Sequence, residues 1–169
     1  MSNFIKGEDR ILYLSIDGNF LPVGCLNDNS FSESSEMLDT TTRESNGWVT
    51  AQAVKQSYSI TFTGVQINST PFGGDLSKIS YDTLKQIKRN REKTKWKIEG
   101  SRAPSIDFGF CNITEISEST PVGELITFTG TLTGFGRAFF SANGQDPVFV
   151  QFENNDLQVL QNNDNYTYR

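Results

Sequence analysis

The sequence predicts an all-β fold with one α-helix, an antiparallel β-sandwich or barrel carrying one long polar inter-strand loop. Asx-Gly pairs at Asp17-Gly18, Asn46-Gly47 and Asn143-Gly144 stand just ahead of apolar stretches, the arrangement of a tight hairpin turn. Two segments alternate strictly between apolar and hydroxyl side chains, the period of a half-buried strand. Aromatic residues make up 12% of the chain, with 13 Phe against 2 Trp, and 14 Gly punctuate them, a mixture that favours strands and turns over helices.

Taken in order, residues 11–16 place Leu12, Leu14 and Ile16 on one face, and Phe20 to Cys25 resumes the apolar character after Asp17-Gly18. Residues 26–47 are polar, with Glu33, Glu36, Asp39 and Glu44 against Arg43, and read as a long loop or a projecting hairpin. Tyr58, Ile60, Phe62 and Gly64 alternate with Ser59, Thr61 and Thr63; Ile126, Phe128, Gly130 and Leu132 alternate with Thr127, Thr129, Thr131 and Thr133. A third pattern begins at Ile106, Phe108 and Phe110, then slips by one place to Cys111 and Ile113, which predicts a bulge near Cys111. Ser80 can cap a helix running from about Tyr81 to about Glu92, with Tyr81, Leu84 and Ile87 as its apolar stripe and Asp82 in the first turn. Val148 to Phe152 is a further strand candidate, and the Asn-rich stretch beyond Glu153, with its apolar centre at 157–160, reads as a mobile or partner-docked tail. The 169 residues thus divide into one β domain over 1–153, with 1–10 as an N-terminal arm, and a tail over 154–169.

Composition removes several classes of function. The chain has no His, and with it go the commonest general base, the commonest zinc ligand and any Ser/His or Cys/His nucleophile pair. No segment approaches the ~20 apolar residues that span a bilayer, and the first residues lack a signal-like apolar run, so no membrane partner and a cytoplasmic site of synthesis are expected. In that reducing compartment Cys25 and Cys111 are expected as two buried thiols rather than a disulfide. Acidic residues lack the spacing of a calcium loop, and no metal or cofactor is implied.

Charge is uneven. Between Lys85 and Arg102 eight cations, Lys85, Lys88, Arg89, Arg91, Lys93, Lys95, Lys97 and Arg102, face only Glu92 and Glu99, so this segment carries +6 and the remainder −11 of a net −5. A solvated basic helix face is one explanation. A nucleic-acid grip with Trp96 as the stacking residue is another. The third is an interface in which the basic segment of one copy, through Lys85, Lys88, Arg89, Arg91, Lys93 and Lys95, meets the acidic 33–44 region of the next.

Other motifs are weak. Gly134 to Phe140 (GFGRAFF) has Thr133 and Arg137 where an RNA-binding consensus needs a cation and an aromatic. Gly130, Gly134 and Gly136 are followed by no Lys-Ser or Lys-Thr, which argues for a kink at a barrel corner rather than a phosphate loop. The pairs Glu33/Glu36 and Glu115/Glu118 could do acid/base work only if the fold brought both members to one site, and no residue is assigned as catalytic.

The runs SFSESSEMLDTTTRESNGW (30–48), KQSYSITFTG (55–64) and GFCNITEISESTPVGELITFTGTLTGFG (109–136), in that order, resemble the major tail protein family of siphovirus-type phages. The likeness covers most of residues 11–140; the basic helix and the Asn-rich tail depart from it. The resemblance implies a tail-tube-like sandwich with a flanking helix, and a virion structural protein, assembled in the host cytoplasm, that forms stacked rings, typically hexameric. It also implies tail initiator, tape-measure and terminator proteins as partners, with DNA passing through the lumen unbound. Glu33, Glu36, Asp39 and Glu44 are then the candidate lumen or ring-contact residues. The inner tube of a contractile injection machine would share the architecture.

Overall fold

The computed structural model describes residues 7–42, 48–66, 77–100, 105–141, 148–151 and 157–160. After a 3-10 turn at Gly7–Asp9 come β1 (Arg10–Ile16), β2 (Asn19–Pro22), β3 (Leu26–Asp39), β4 (Ala51–Val65), α1 (Tyr81–Asn90), β5 (Thr94–Gly100), β6 (Ile106–Ser119) and β7 (Thr127–Ser141). β8 (Val148–Gln151) and β9 (Leu157–Leu160) pair with each other as a separate ribbon, so the apolar centre of the Asn-rich stretch forms a strand.

β1 to β7 form one antiparallel sheet in the order β2-β1-β5-β6-β7-β4-β3. Its ends, β2 and β3, do not pair, so the sheet is open and the barrel alternative is excluded. It curls until the two halves pack face to face as in a sandwich. Phe31 of β3 lies 5.5 Å from Trp96 of β5 and 5.9 Å from Tyr58, ring centre to ring centre. Asn29 Nδ2 donates to the Arg10 carbonyl at 3.3 Å, tying β3 to β1.

The core is the inward face of this curl: Leu12, Leu14, Tyr58, Ile60, Phe62, Trp96, Ile98, Phe128 and Leu132 are buried. α1 covers it with Tyr81, Leu84 and Ile87, the Tyr81 ring standing 5.7 Å from Phe128. Ser80 Oγ accepts from the Thr83 N–H at 3.4 Å, and Arg91 ends the helix in the left-handed region at φ 56. The helix therefore stops two residues short of the expected Glu92.

At the centre of the sheet, rings fill the space that glycines leave. Phe62 is the register partner of Gly130, and Phe128 that of Gly64; Tyr58 lies over Gly134. A Cβ at Gly64 would stand 2.9 Å from both the Phe128 ring and the Cys25 carbonyl, and one at Gly130 or Gly134 would enter the opposing ring. The expected barrel-corner kink is thus replaced by ring packing at Gly130 and Gly134, and of these three glycines Gly136 alone has a positive φ, at 74.

Of the two alternatives for the polar stretch, the projecting hairpin is the one found: residues 26–39 are one side of a long hairpin with β4, whose outer half has no apolar face to give a period of two. Three further expectations change. Thr94–Gly100 forms β5 although the sequence reading assigns no strand there; Trp96 and Ile98 alternating inward against Lys95 and Lys97 is the signal. Cys25 is exposed, because the turn between β2 and β3 holds it at φ 48. Ile126 precedes β7 and is 37% exposed. The expected bulge near Cys111 is a pair of register shifts, at Phe108/Phe110 and Ile113/Glu115. Between them Phe108 to Cys111 is buried at every position. Asn46-Gly47 and Asn143-Gly144 lie outside the described residues.

Gly130→Ala should cost about 1–3 kcal/mol by overpacking against Phe62, lowering Tm by roughly 2–4 °C per kcal/mol for a chain of this size. Gly7→Ala, with nothing within 4 Å, should leave Tm unchanged. Equal melting curves for Gly130→Ala and wild type would contradict the ring packing.

Candidate functional site

β6 from Asn112 onward, β7 to Thr133, β4 and β3 form a four-stranded portion whose inward face belongs to the core and whose other face is a lattice of hydroxyls. The register places Ser30, Ser32 and Ser34 of β3 opposite Thr61, Ser59 and Ser57 of β4. Ser59, Thr61 and Thr63 in turn face Thr133, Thr131 and Thr129 of β7, and Thr129 faces Ser117 of β6. Neighbouring hydroxyls bond across strands: Ser34 with Ser57 at 2.8 Å, Thr114 with Thr133 at 3.0 Å, Ser117 with Thr129 at 2.6 Å. Asp28, Glu36 and Glu115 share this face with one cation, Lys55.

Of the acidic candidates, Glu36 is therefore on the hydroxyl face and Glu33 is opposite Tyr58 on the other, whereas Asp39 stands three places past Glu36, beyond the register shift at Glu36/Met37, and Glu44 lies outside the described residues. Asp39 accepts from the Thr41 hydroxyl at 2.5 Å and the Thr41 N–H at 2.8 Å. The hydroxyl bond first, then the backbone bond, holds its carboxyl below the usual range. Glu36 is ion-paired to Lys55 at 3.2 Å. The two carboxylate pairs cannot cooperate across a substrate, since Glu33 and Glu36 point to opposite faces of β3, and Glu115 and Glu118 to opposite faces of β6.

The basic segment does not form one patch. Lys85, Lys88 and Arg89 are on α1, with Lys85 4.0 Å from Glu118 and over the Tyr81 ring. Lys93 lies over Phe135 at 4.1 Å, and Lys95 and Lys97 point to the far face of the sheet beside Phe110 and Phe108. Lys97 is buried, 2.8 Å from Glu99 and over Tyr13 and Phe20. Trp96 is 0% exposed and donates to the Tyr58 hydroxyl at 3.2 Å; that hydroxyl donates to the Phe110 carbonyl. Its ring is unavailable to a base, which removes the stacking half of the nucleic-acid reading.

The four-stranded portion has two edges without a partner strand among the described residues. β5 pairs with β6 only as far as Cys111, leaving 112–119 open on that side, and β3 is the last strand of the sheet. The two edges run antiparallel to each other, because the intervening strands alternate. Lys88, Arg91 and Glu92 line a cleft with Asn112 and Ile113 beside the β6 edge, whereas β3 carries Asp28, Glu33, Glu36, Asp39 and no cation. Beyond Ser59 the β3–β4 hairpin leaves β7 and projects roughly 25 Å at ~3.3 Å per residue. Its outer end exposes Met37, Leu38, Val54, Trp48 and Val49, and the β6–β7 turn at the opposite end of the sheet exposes Val122 and Leu125.

A family model described as phage tail tube protein matches residues 4–140. No curated protein sequence matches the chain. Among solved structures, the tail of an empty gene transfer agent particle with C6 symmetry is 21% identical, covers 82% of this chain and 100% of its own, and superposes with a TM-score of 0.68. The SPP1 tail tube is 14% identical over 82% of this chain and 79% of its own, with a TM-score of 0.64. A chain of the 6-fold symmetrised anti-feeding prophage baseplate is 9% identical over 86% and 100%, with a TM-score of 0.60. These likenesses share the fold.

The two thiols are free and unequal: Cys25 is exposed, and burial pushes Cys111 up from 9.0 to about 12. Iodoacetamide at neutral pH should label Cys25 alone in the native protein and both after unfolding; native labelling of Cys111 would contradict its burial. The folded chain keeps the Cys111 proton that the unfolded chain releases above pH 9.0, so this contribution to stability is intact below 9.0 and lost as pH rises toward about 12.

Proposed function

Because the chain belongs to the phage tail tube protein family, we propose that it is a non-enzymatic virion subunit. Its copies close edge to edge into rings of six, and the rings stack into the tube through which DNA leaves the particle. The observation that carries this reading is the pair of open, oppositely directed edges on one sheet. Joining β3 of one copy to β6 of the next extends the antiparallel order across the boundary. Repetition of that heterologous contact closes a ring and satisfies backbone groups that would otherwise invite aggregation. Six copies agree with the C6 symmetry of the gene transfer agent tail.

Charge bears on the register of this pairing, since Lys88 and Arg91 flank the Asn112 end of the β6 edge and attract the acidic β3 strand, whereas Glu115 and Glu118 farther along repel it. The interface role expected of the basic segment is thereby narrowed to the C-terminal end of α1. With α1 and the core on one side of the four-stranded portion, the hydroxyl face is the one turned to the hole. A wall nearly free of cations releases few counterions to a passing duplex and does not grip it. The projecting hairpin reaches toward the next ring, where its apolar end can cover the exposed Val122 and Leu125 turn. Tail initiator, tape-measure and terminator proteins are the partners at the ends and in the bore, and assembly takes place in the host cytoplasm. An inner-tube ring of an injection machine would use the same edges, as the fold shared with the anti-feeding prophage baseplate allows; the tail of a virion is preferred because the family model describes phage tail tubes.

Hydrogen exchange compared between dispersed and assembled protein tests the pairing. Amides within 26–39 and 112–119 should slow by about tenfold or more on assembly, as opening of new ladder bonds becomes rate-limiting. Assembly with unchanged exchange in both stretches would place the interface elsewhere.

A further inference from the structure

The chain has 15 Lys and Arg in all. Yet β3, β4, β6 and residues 127–133 of β7 contain a single one, Lys55. Lys55 is the register partner of Glu36, and its Nζ stands 3.2 Å from Glu36 Oε2, with the side chains 78% and 62% exposed. An exposed pair of this kind adds little to folding stability, so its placement on this face calls for another explanation.

We propose that Glu36 masks Lys55 against DNA phosphate. The pair lies past Ser59, on the hairpin that continues this face beyond β7, and the inference rests on that continued face lining the bore. A lysine there with only mobile counterions would release them on meeting a phosphate, and that release drives non-specific DNA binding. Here the counterion is a carboxylate fixed to the adjacent strand, which cannot diffuse away. A phosphate reaching Lys55 gains no released ion and comes against the charge of Glu36. Six copies in a ring would otherwise present six cations at one level of the bore, repeated at every ring.

The test uses tubes assembled from full-length protein in the presence of a short fluorescent DNA duplex, then washed and sedimented. Glu36→Gln tubes should retain at least ~10-fold more duplex than wild type at ~50 mM salt, the excess vanishing by ~200 mM as phosphate contacts are screened. The double variant Glu36→Gln/Lys55→Gln should return to the wild-type level. Equal retention by wild type and Glu36→Gln overturns the masking, as does an excess that persists in the double variant. If Glu36→Gln alone does not assemble, co-assembly with excess wild-type chain reads the same difference per variant copy. Failure of the bore reading is seen separately: cross-sections of wild-type tubes would show the hydroxyl face on the outside.

Discussion

Glycines where β4 and β7 run side by side let three aromatic rings lie flat in the middle of the sheet. Phe62 over Gly130, Phe128 over Gly64 and Tyr58 over Gly134 occupy space that any Cβ would take. The rings supply both large apolar area and close approach. Tyr58 then reaches outward, accepting from Trp96 and donating to the Phe110 carbonyl, so β4 is joined to β5 and β6 beyond its own neighbours in the ladder. Phe31 packs on the same two rings. The curl of the sheet, the seat of α1 and the position of β3 as an open edge all depend on this cluster.

The same packing explains why the opposite face is free for another purpose. Every apolar side chain in the four-stranded portion that faces the curl is committed to the core, and the alternation of strands delivers Ser and Thr to the other side. Hydroxyls satisfy one another across strands and stay hydrated without carrying charge. A surface of that kind is suited to passing a polyanion, neither binding it through cations nor presenting apolar area to it. The one lysine of this face does not stand alone, since Glu36 is paired to it from the adjacent strand.

Elements with one apolar face were legible in the sequence: β1, β4, β7 and α1 stand where alternation or helical spacing places them. β3 was legible only as a loop or a projecting hairpin, since in its projecting half both faces are wet and period two has nothing to mark it. Trp96 sits among lysines and reads as a surface residue until Lys95-Trp96-Lys97-Ile98 is taken as a strand with two opposite faces. The reason for Gly130 and Gly134 is tertiary, a ring on another strand, and no local pattern carries it. Face assignment divides the candidate acids in the same way: odd spacing between Glu33 and Glu36 already puts them on opposite sides once 26–39 is known to be extended. The helix cations were visible as a cluster, but their distribution over two faces required the turn at Arg91.

The central claim is that one open sheet both closes the ring and lines its hole. Cryo-electron microscopy of the assembled protein tests it most directly. The account predicts six-fold rings in which β3 of each copy pairs antiparallel with β6 of the next and the Ser/Thr face looks into the lumen. Rings closed through α1, or protein that stays monomeric at every concentration even with a tail initiator present, would contradict it.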